Sequence, residues 1–288
     1  AIPGIMATRT IDNWKERLVT ILVLPLMSCS ARLPVYTLMI SAFIPKQQVF
    51  GIFSLQGITM LIMYFLGTAT AMLIAAIISR FIKEKGSSSF IMELPPYRIP
   101  LARSIFRQLF IRGKLFVINA GKIIMAISII LWFLASFPKF GADGEPTTIH
   151  QSYAGMIGHA IEPAIEPLGF DWKIGVGLIT SFAAREVVVS TLATLYNVEG
   201  GGGDVIGITE ALKNDYNPET GLPTYTALVA LSIMVFYVYA AQCMATFAIV
   251  RNETNSWKWP MYMIIYMTAL AYGASLAVYQ GGLLMGYS

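Results

Sequence analysis

Two cysteines are the chemically distinctive residues of this 288-residue chain: Cys29 in PLMSCSARLP (25–34) and Cys243 in VYAAQCMATFAIV (238–250). Met27, Ser28 and Ser30 stand around the first, and Met244 follows the second. Thiolate and thioether sulfur suit soft or borderline metals, while hydroxyls and carbonyls extend the range to ferrous iron and manganese. The pair makes no zinc framework and no CxxC motif, and nothing favours a disulfide between them. A lone cysteine in an apolar run ordinarily packs as a small hydrophobe. Here the prolines, hydroxyls and arginine beside it point to metal handling instead.

Ionisable residues near the middle of apolar runs are few: Arg32, Arg185 and Glu186. An unpaired charge at that depth costs at least about 2.5–3.5 kcal/mol, so each must face the bundle interior and find a partner. One reading is a structural Arg–Glu pair that pins helices together. The sharper one, favoured here, is that Glu186 lines a cation path and pairs with Arg32 or Arg185. On a continuous helix through SFAAREVVVST, Ser181 would sit one turn from Arg185 and Glu186 one turn from Ser190. A second candidate metal site is His159, Glu162 and Glu166 in HAIEPAIEP. Their i, i+3, i+7 spacing shares one helical face, although Pro163 and Pro167 interrupt a regular helix.

Other chemistries are excluded. The glycines at 200–203 precede no Gly-Lys-Ser/Thr, and neither Gly113-Lys114 nor Gly121-Lys122 completes a P-loop, so no nucleotide motif is present. No loop is large enough for the phosphorylation domain of a metal-pumping ATPase, and nothing suggests nucleic acid as a partner.

The elements that must position these residues belong to a membrane. Hydrophobic residues make up 56% and charged residues 12%, about half the charged share usual for a soluble domain. Mean hydropathy is +0.64. Six runs, at about 18–44, 49–82, 115–137, 172–196, 223–250 and 259–286, are long enough to cross roughly 30 Å of hydrocarbon. Trp14, Trp172, Trp257, Trp259 and Tyr262 collect near run ends, as interfacial aromatics do. The expected fold is an all-α, polytopic bundle of about six transmembrane helices in contact with lipid.

Two local features qualify that picture. Pro34 cannot donate to the carbonyl of Ser30 and Pro25 interrupts the same run, so the first helix is expected to break near Ser28–Ala31. Freed carbonyls at membrane depth must be buried in protein or line a cavity, and such breaks are how transporters build midplane ion sites. In the fifth run, Tyr239, Gln242, Cys243 and Thr246 follow helical spacing and predict one polar stripe on a continuous rod.

The loop 83–114 is basic and 138–171 is acidic, which places the first inside and the second outside. Simple alternation then puts acidic 197–222 inside and the Arg251/Lys258 loop outside, against the same rule. Either 153–169 dips into the membrane and changes the count, or acidic loops carry little weight.

The stretches IPGIMATRTI, PLMSCSARLPVY, LPPYRIP, PLGFDWKIGVGLITSFAAREVVVSTLATLY and YVYAAQCMATFAIVRNET together resemble the membrane domain of the bacterial ferrous iron transport protein B family. The resemblance runs from the first residues to about Pro260. It implies Fe(II) uptake through a multi-pass protein of the bacterial cytoplasmic (inner) membrane, with an alternative substrate of another divalent metal or a nucleoside-like solute. It also implies partners outside this sequence: an N-terminal GTPase that binds GTP and Mg, a linking helical domain, and small cytoplasmic Feo accessory proteins. A homo-oligomer stays open. This chain itself is not expected to be an enzyme. Residues 1–17 read as the tail of a preceding Gate segment, 18–114 as membrane helices with the cysteine motif and a basic cytoplasmic loop, and 115–286 as the second Gate module with C-terminal membrane helices. By the resemblance, Cys29 and Cys243 fall in ion-handling motifs and Glu186 in the second Gate module. Cys29 and Cys243 are expected to approach each other near the midplane, flanking one path with Met27, Ser28, Ser30 and Met244.

Overall fold

A computed structural model describes residues 2–27, 29–49, 53–81, 101–137, 152–182, 185, 187–198, 204–216, 221, 223–241 and 243–286. Three of the six apolar runs are single helices: α4 (Leu55–Phe81), α5 (Ala102–Ser136) and α12 (Lys258–Leu284). α4 and α12, each 27 residues, are about 40 Å long and can cross a bilayer with some tilt. α5 starts 13 residues before its run, because ARSIFRQLFIRGK contains no proline and only one glycine. The other three runs are each two shorter helices: α2 (Trp14–Val23) with α3 (Leu33–Phe43), α7 (Trp172–Ser181) with α8 (Val187–Leu195), and α10 (Ala227–Tyr239) with α11 (Met244–Thr254). Around them lie α1 (Ile2–Ala7), α6 (Tyr153–Ile165) and α9 (Val205–Lys213), and two-residue strands Gln48–Val49 and Phe53–Ser54 pair antiparallel between α3 and α4. By length and hydropathy, Trp14–Phe43, Leu55–Arg80 and Lys258–Leu284 qualify as membrane spans among the described residues.

α10 is the centre of the bundle. From Val229 to Tyr239 nearly every side chain is buried, and it packs against α12, α3 and α4. Small hydroxyls let α12 approach: Ser232 and Ser275 share a hydrogen bond of 2.6 Å, and Ser232 also donates to the Leu168 carbonyl at 2.9 Å. α4 instead turns Leu61, Phe65, Met72 and Leu73 outward. On a soluble protein that surface would be costly, whereas against lipid it is the favourable one.

α7 and α8 form a helical hairpin. With ten and nine residues they are about 15 and 14 Å long, half a bilayer each. Their outer ends come together, since Lys173 Nζ donates to the Tyr196 hydroxyl at 3.3 Å and lies 4.4 Å from its ring centre. The same end carries the close of α3, where Phe43 and Tyr225 rings lie 6.4 Å apart. The chain thus enters and leaves on one face between 172 and 196. Two half-length helices replace the single crossing helix expected there.

The opposite end gathers the basic residues. Glu253 accepts from Arg9 Nε at 2.9 and 3.0 Å and from Arg17 Nη2 at 2.6 Å, so the Arg251/Lys258 loop shares an end with Arg9 and Arg17. Alternation from six crossings had put that loop at the other end. Glu253 occupies the last turn of α11, where the helix dipole disfavours a carboxylate. The two guanidinium groups compensate, with Arg9 the larger influence, and hold the Glu253 carboxyl below its usual range. A depressed carboxylate contributes stability above its unfolded pKa of about 4.3 and loses it as pH falls through the folded value. Glu253→Gln should therefore lower the melting temperature near neutral pH, and the gap to wild type should shrink between about pH 5 and pH 3. A gap that stays constant over that window contradicts the assignment.

Candidate functional site

Each broken helix has its break near the middle of its apolar run. In the first, a 3₁₀ turn at Leu24–Leu26 continues α2, Met27 and Cys29 are extended (ψ 144° for both), and a second 3₁₀ turn at Ser30–Arg32 leads into α3. Pro25 sits in the first turn of one element and Pro34 in the first turn of the next, positions where a missing amide costs nothing. The expected break is present, a residue or two earlier than the prolines alone suggest. Arg32, fully buried, fills it: Nη1 donates to the carbonyls of Leu26 and Met27 at 3.2 and 3.3 Å, and Nη2 donates to that of Pro25 at 3.0 Å. A cation at the carboxyl end of a helix is where the dipole favours one.

The second break joins the arms of the hairpin. The arms fit closely because residue 177 is glycine; a Cβ there would come within 2.9 Å of Val188 Cγ2. Thr180 and Thr191 hydroxyls bridge them at 2.9 Å. Ser181 ends α7 and donates to Leu178 at 2.7 Å, so it does not share a helical face with Arg185 as a continuous helix would require.

The third break, at Ala240–Cys243, overturns the continuous polar stripe. α10 stops at Tyr239, Ala240 takes ψ 137°, and Cys243 is extended before α11 begins. Tyr239 turns to Thr70, hydroxyl to hydroxyl at 2.9 Å, while Thr246 is buried on α11. Gln242 lies outside the described residues. The break is held by the hairpin tip: Arg185 Nη2 donates to the Ala240 carbonyl at 2.7 Å, and the Met244 amide donates to the Phe182 carbonyl at 3.2 Å.

These contacts bring the three breaks to one place. Arg185 is within electrostatic range of both Cys243 and Cys29, and of Tyr36 and Tyr237. Arg32 acts on Cys29 and Arg185 in turn. Two thiols 214 positions apart in the sequence therefore lie within electrostatic range of one guanidinium. Both are free and half-buried. Met27 and Met244 are 44% and 57% exposed and Ser30 is exposed, so the breaks present sulfur and hydroxyl outward while the arginines stay inside. Ser28 and Glu186 lie outside the described residues. Nη1 and Nη2 of Arg32 serve backbone carbonyls, and so does Nη2 of Arg185, while Nε of Arg32 is buried without a hydrogen-bond partner among the described residues. Among the described residues no three His, Cys, Asp or Glu side chains cluster as a tight metal site would require.

The other candidate site is a pair. His159 Nδ1 and Glu162 Oε2 are 2.8 Å apart on α6, which runs on through Pro163, and the imidazole lies 5.2 Å from the Trp172 ring. Glu166 is exposed in the 3₁₀ turn that follows.

Sequence reasoning missed a polar network at the mouth of the hairpin. Lys173 Nζ and the Tyr196 hydroxyl both donate to Asp215 Oδ2, at 2.7 and 2.6 Å. The Tyr225 hydroxyl donates to Asp171 at 2.8 Å, and Asp171 also caps α7 through the Ile174 amide at 3.0 Å. Burial raises the Asp171 carboxyl above its ordinary value, and these bonds offset part of that. The N-cap position of Asp171 was the available signal; its partners, 54 residues on, left none.

Residues 117–257 match a family model described as Gate, nucleoside recognition, and residues 60–112 match one described as ferrous iron transport protein B C terminus. Among similar proteins, a Fe(2+) transporter FeoB of Leptospira biflexa is 44% identical over 289 residues, covering 100% of this chain and 42% of the relative. A Fe(2+) transporter FeoB of Staphylococcus aureus is 36% identical, with 98% and 39% covered. A Fe(2+) transport protein A/Fe(2+) transporter FeoB fusion protein of Porphyromonas gingivalis is 35% identical, with 98% and 36% covered. The chain thus spans about two fifths of the length of the curated relatives it matches. No solved structure matches.

Proposed function

Because this chain belongs to the ferrous iron transport protein B family, we propose that it forms a membrane path for Fe(II), with Cys29 and Cys243 as the ligands that receive the ion at mid-depth. The observation that supports this is that Arg185, bonded into the third break through the Ala240 carbonyl, lies within electrostatic range of both thiols. Fe(II) must shed water to cross, and the path has to offer ligands weak enough to release it. Two thiols with the thioethers of Met27 and Met244 and the hydroxyls of Ser28 and Ser30 meet that need, whereas a closed four-ligand site would trap the ion. Glu186, beside Arg185 in sequence, sets the charge of the path. His159 and Glu162, with Glu166, collect cations at the mouth.

The basic end, with Arg9, Arg17, Arg80, Arg251 and Lys258, faces the cytoplasm by the positive-inside rule. The hairpin mouth then opens outside, and acidic 197–222 lies outside as well. The protein sits in the bacterial inner membrane as a multi-pass permease, driven or opened by GTP hydrolysis in an N-terminal domain of the full-length protein. The Porphyromonas gingivalis relative carries a Fe(2+) transport protein A portion in the same chain, which supports a small partner of that kind.

A nucleoside-like solute is the second reading, favoured by the description of the Gate model. Uptake of Fe(II) by the full-length protein in proteoliposomes, with and without GTP, decides between them. GTP-stimulated Fe(II) entry is expected. Nucleoside entry without Fe(II) entry would replace the metal reading.

A further inference from the structure

The geometry points to Arg32 and Arg185 as the residues that bar hard divalent cations such as Mg²⁺ and Ca²⁺ from this site. The inference rests on the reading of the site as a metal path and adds its basis of discrimination. Carbonyls at unwound helices and at the carboxyl ends of half-helices are the usual membrane ligands for hard cations. Here the ones identified at two of the breaks are already engaged. The carbonyls of Pro25, Leu26 and Met27 accept from Arg32, and that of Ala240 accepts from Arg185. Both guanidinium groups are buried, at 0% and 6% exposure. Arginine is never deprotonated at working pH and its fork holds several acceptors at once, so it acts as a fixed internal cation.

An entering ion therefore meets positive charge where oxygen ligands would otherwise wait. The surplus is positive even if Glu186 offsets one arginine. Mg²⁺ and Ca²⁺ need six or more oxygens and gain little from sulfur. Fe²⁺ and Cd²⁺ recover the loss through bonds to Cys29, Cys243 and the exposed thioethers. The arginines thus discriminate by removing the hard ligands and leaving the soft ones. They position no reacting group.

Alkylation of Cys29 and Cys243 in the full-length protein tests this without requiring transport. In the wild type, Cd²⁺ and Fe²⁺ should slow alkylation at least tenfold, and Mg²⁺ or Ca²⁺ at thousandfold higher concentration should not. Arg185→Gln frees the Ala240 carbonyl and removes one charge, so Mg²⁺ and Ca²⁺ should now protect and their entry relative to Fe²⁺ should rise at least tenfold. Arg185→Lys keeps the charge and should fall between. Protection of the wild type by Mg²⁺, or an Arg185→Gln protein that still responds only to Cd²⁺ and Fe²⁺, overturns the inference. If Arg185→Gln does not fold, the wild-type series decides alone. No protection by any of the four ions, together with no Fe(II) uptake, would instead defeat the metal-path reading on which this rests.

Discussion

Arg32→Met should destabilise the full-length protein more than any other single change at the breaks. The substitution keeps an unbranched apolar stem and removes the donors that serve the carbonyls of Pro25, Leu26 and Met27. A buried acceptor left unpaired costs about 1–3 kcal/mol. Relief from burying a charge returns about 2.5–3.5 kcal/mol. With three carbonyls stranded against one charge removed, the expected net loss is about 3 kcal/mol. In detergent this appears as a melting temperature lower by several degrees. Arg32→Lys, which keeps the charge but lacks the fork, should lie between. A methionine variant that melts with the wild type would mean that water or lipid headgroups satisfy those carbonyls, and that the break does not depend on Arg32.

Cys29→Ser and Cys243→Ser should each lower Fe(II) uptake by the full-length protein at least tenfold without loss of expression. Serine is nearly isosteric, so packing around the half-buried positions is disturbed little. What changes is the ligand: a thiol deprotonates on metal contact and gives a soft anionic donor, whereas the hydroxyl stays neutral and hard. The two effects should not add. If both thiols serve one ion beside Arg185, the double variant should transport hardly less than either single one. Normal uptake by both single variants would reduce the cysteines to packing residues.

Much of the fold can be read directly from the residues. Composition and the six apolar runs require a membrane, because a soluble core could not absorb that much apolar surface. The first break could also be foreseen. Pro25 and Pro34 lack amides wherever they sit, so the helical hydrogen bonds they would donate cannot form and a break beside them is favoured. The long ordered motifs identified the family for the same kind of reason, since they are properties of the chain itself.

The other two breaks depend on the rest of the molecule. Neither FAARE at 182–186 nor AAQC at 240–243 contains proline or glycine, and their alanines favour helix. Local propensity therefore predicted two continuous rods and, from them, a stripe along Tyr239–Thr246 that does not exist. The rods are interrupted because each break satisfies the other's backbone, through Arg185 on the Ala240 carbonyl and the Met244 amide on the Phe182 carbonyl. Those bonds span 55 and 62 residues of sequence and leave no local signature. By itself the sequence determined that the chain enters a membrane, where its first helix must break, and which residues could handle a metal. Only the tertiary structure decided that 172–196 turns back, that Glu253 lies with Arg9 and Arg17, and that both thiols come within electrostatic range of one arginine, because hydrogen bonds between distant segments can outweigh the helical preference of a few alanines.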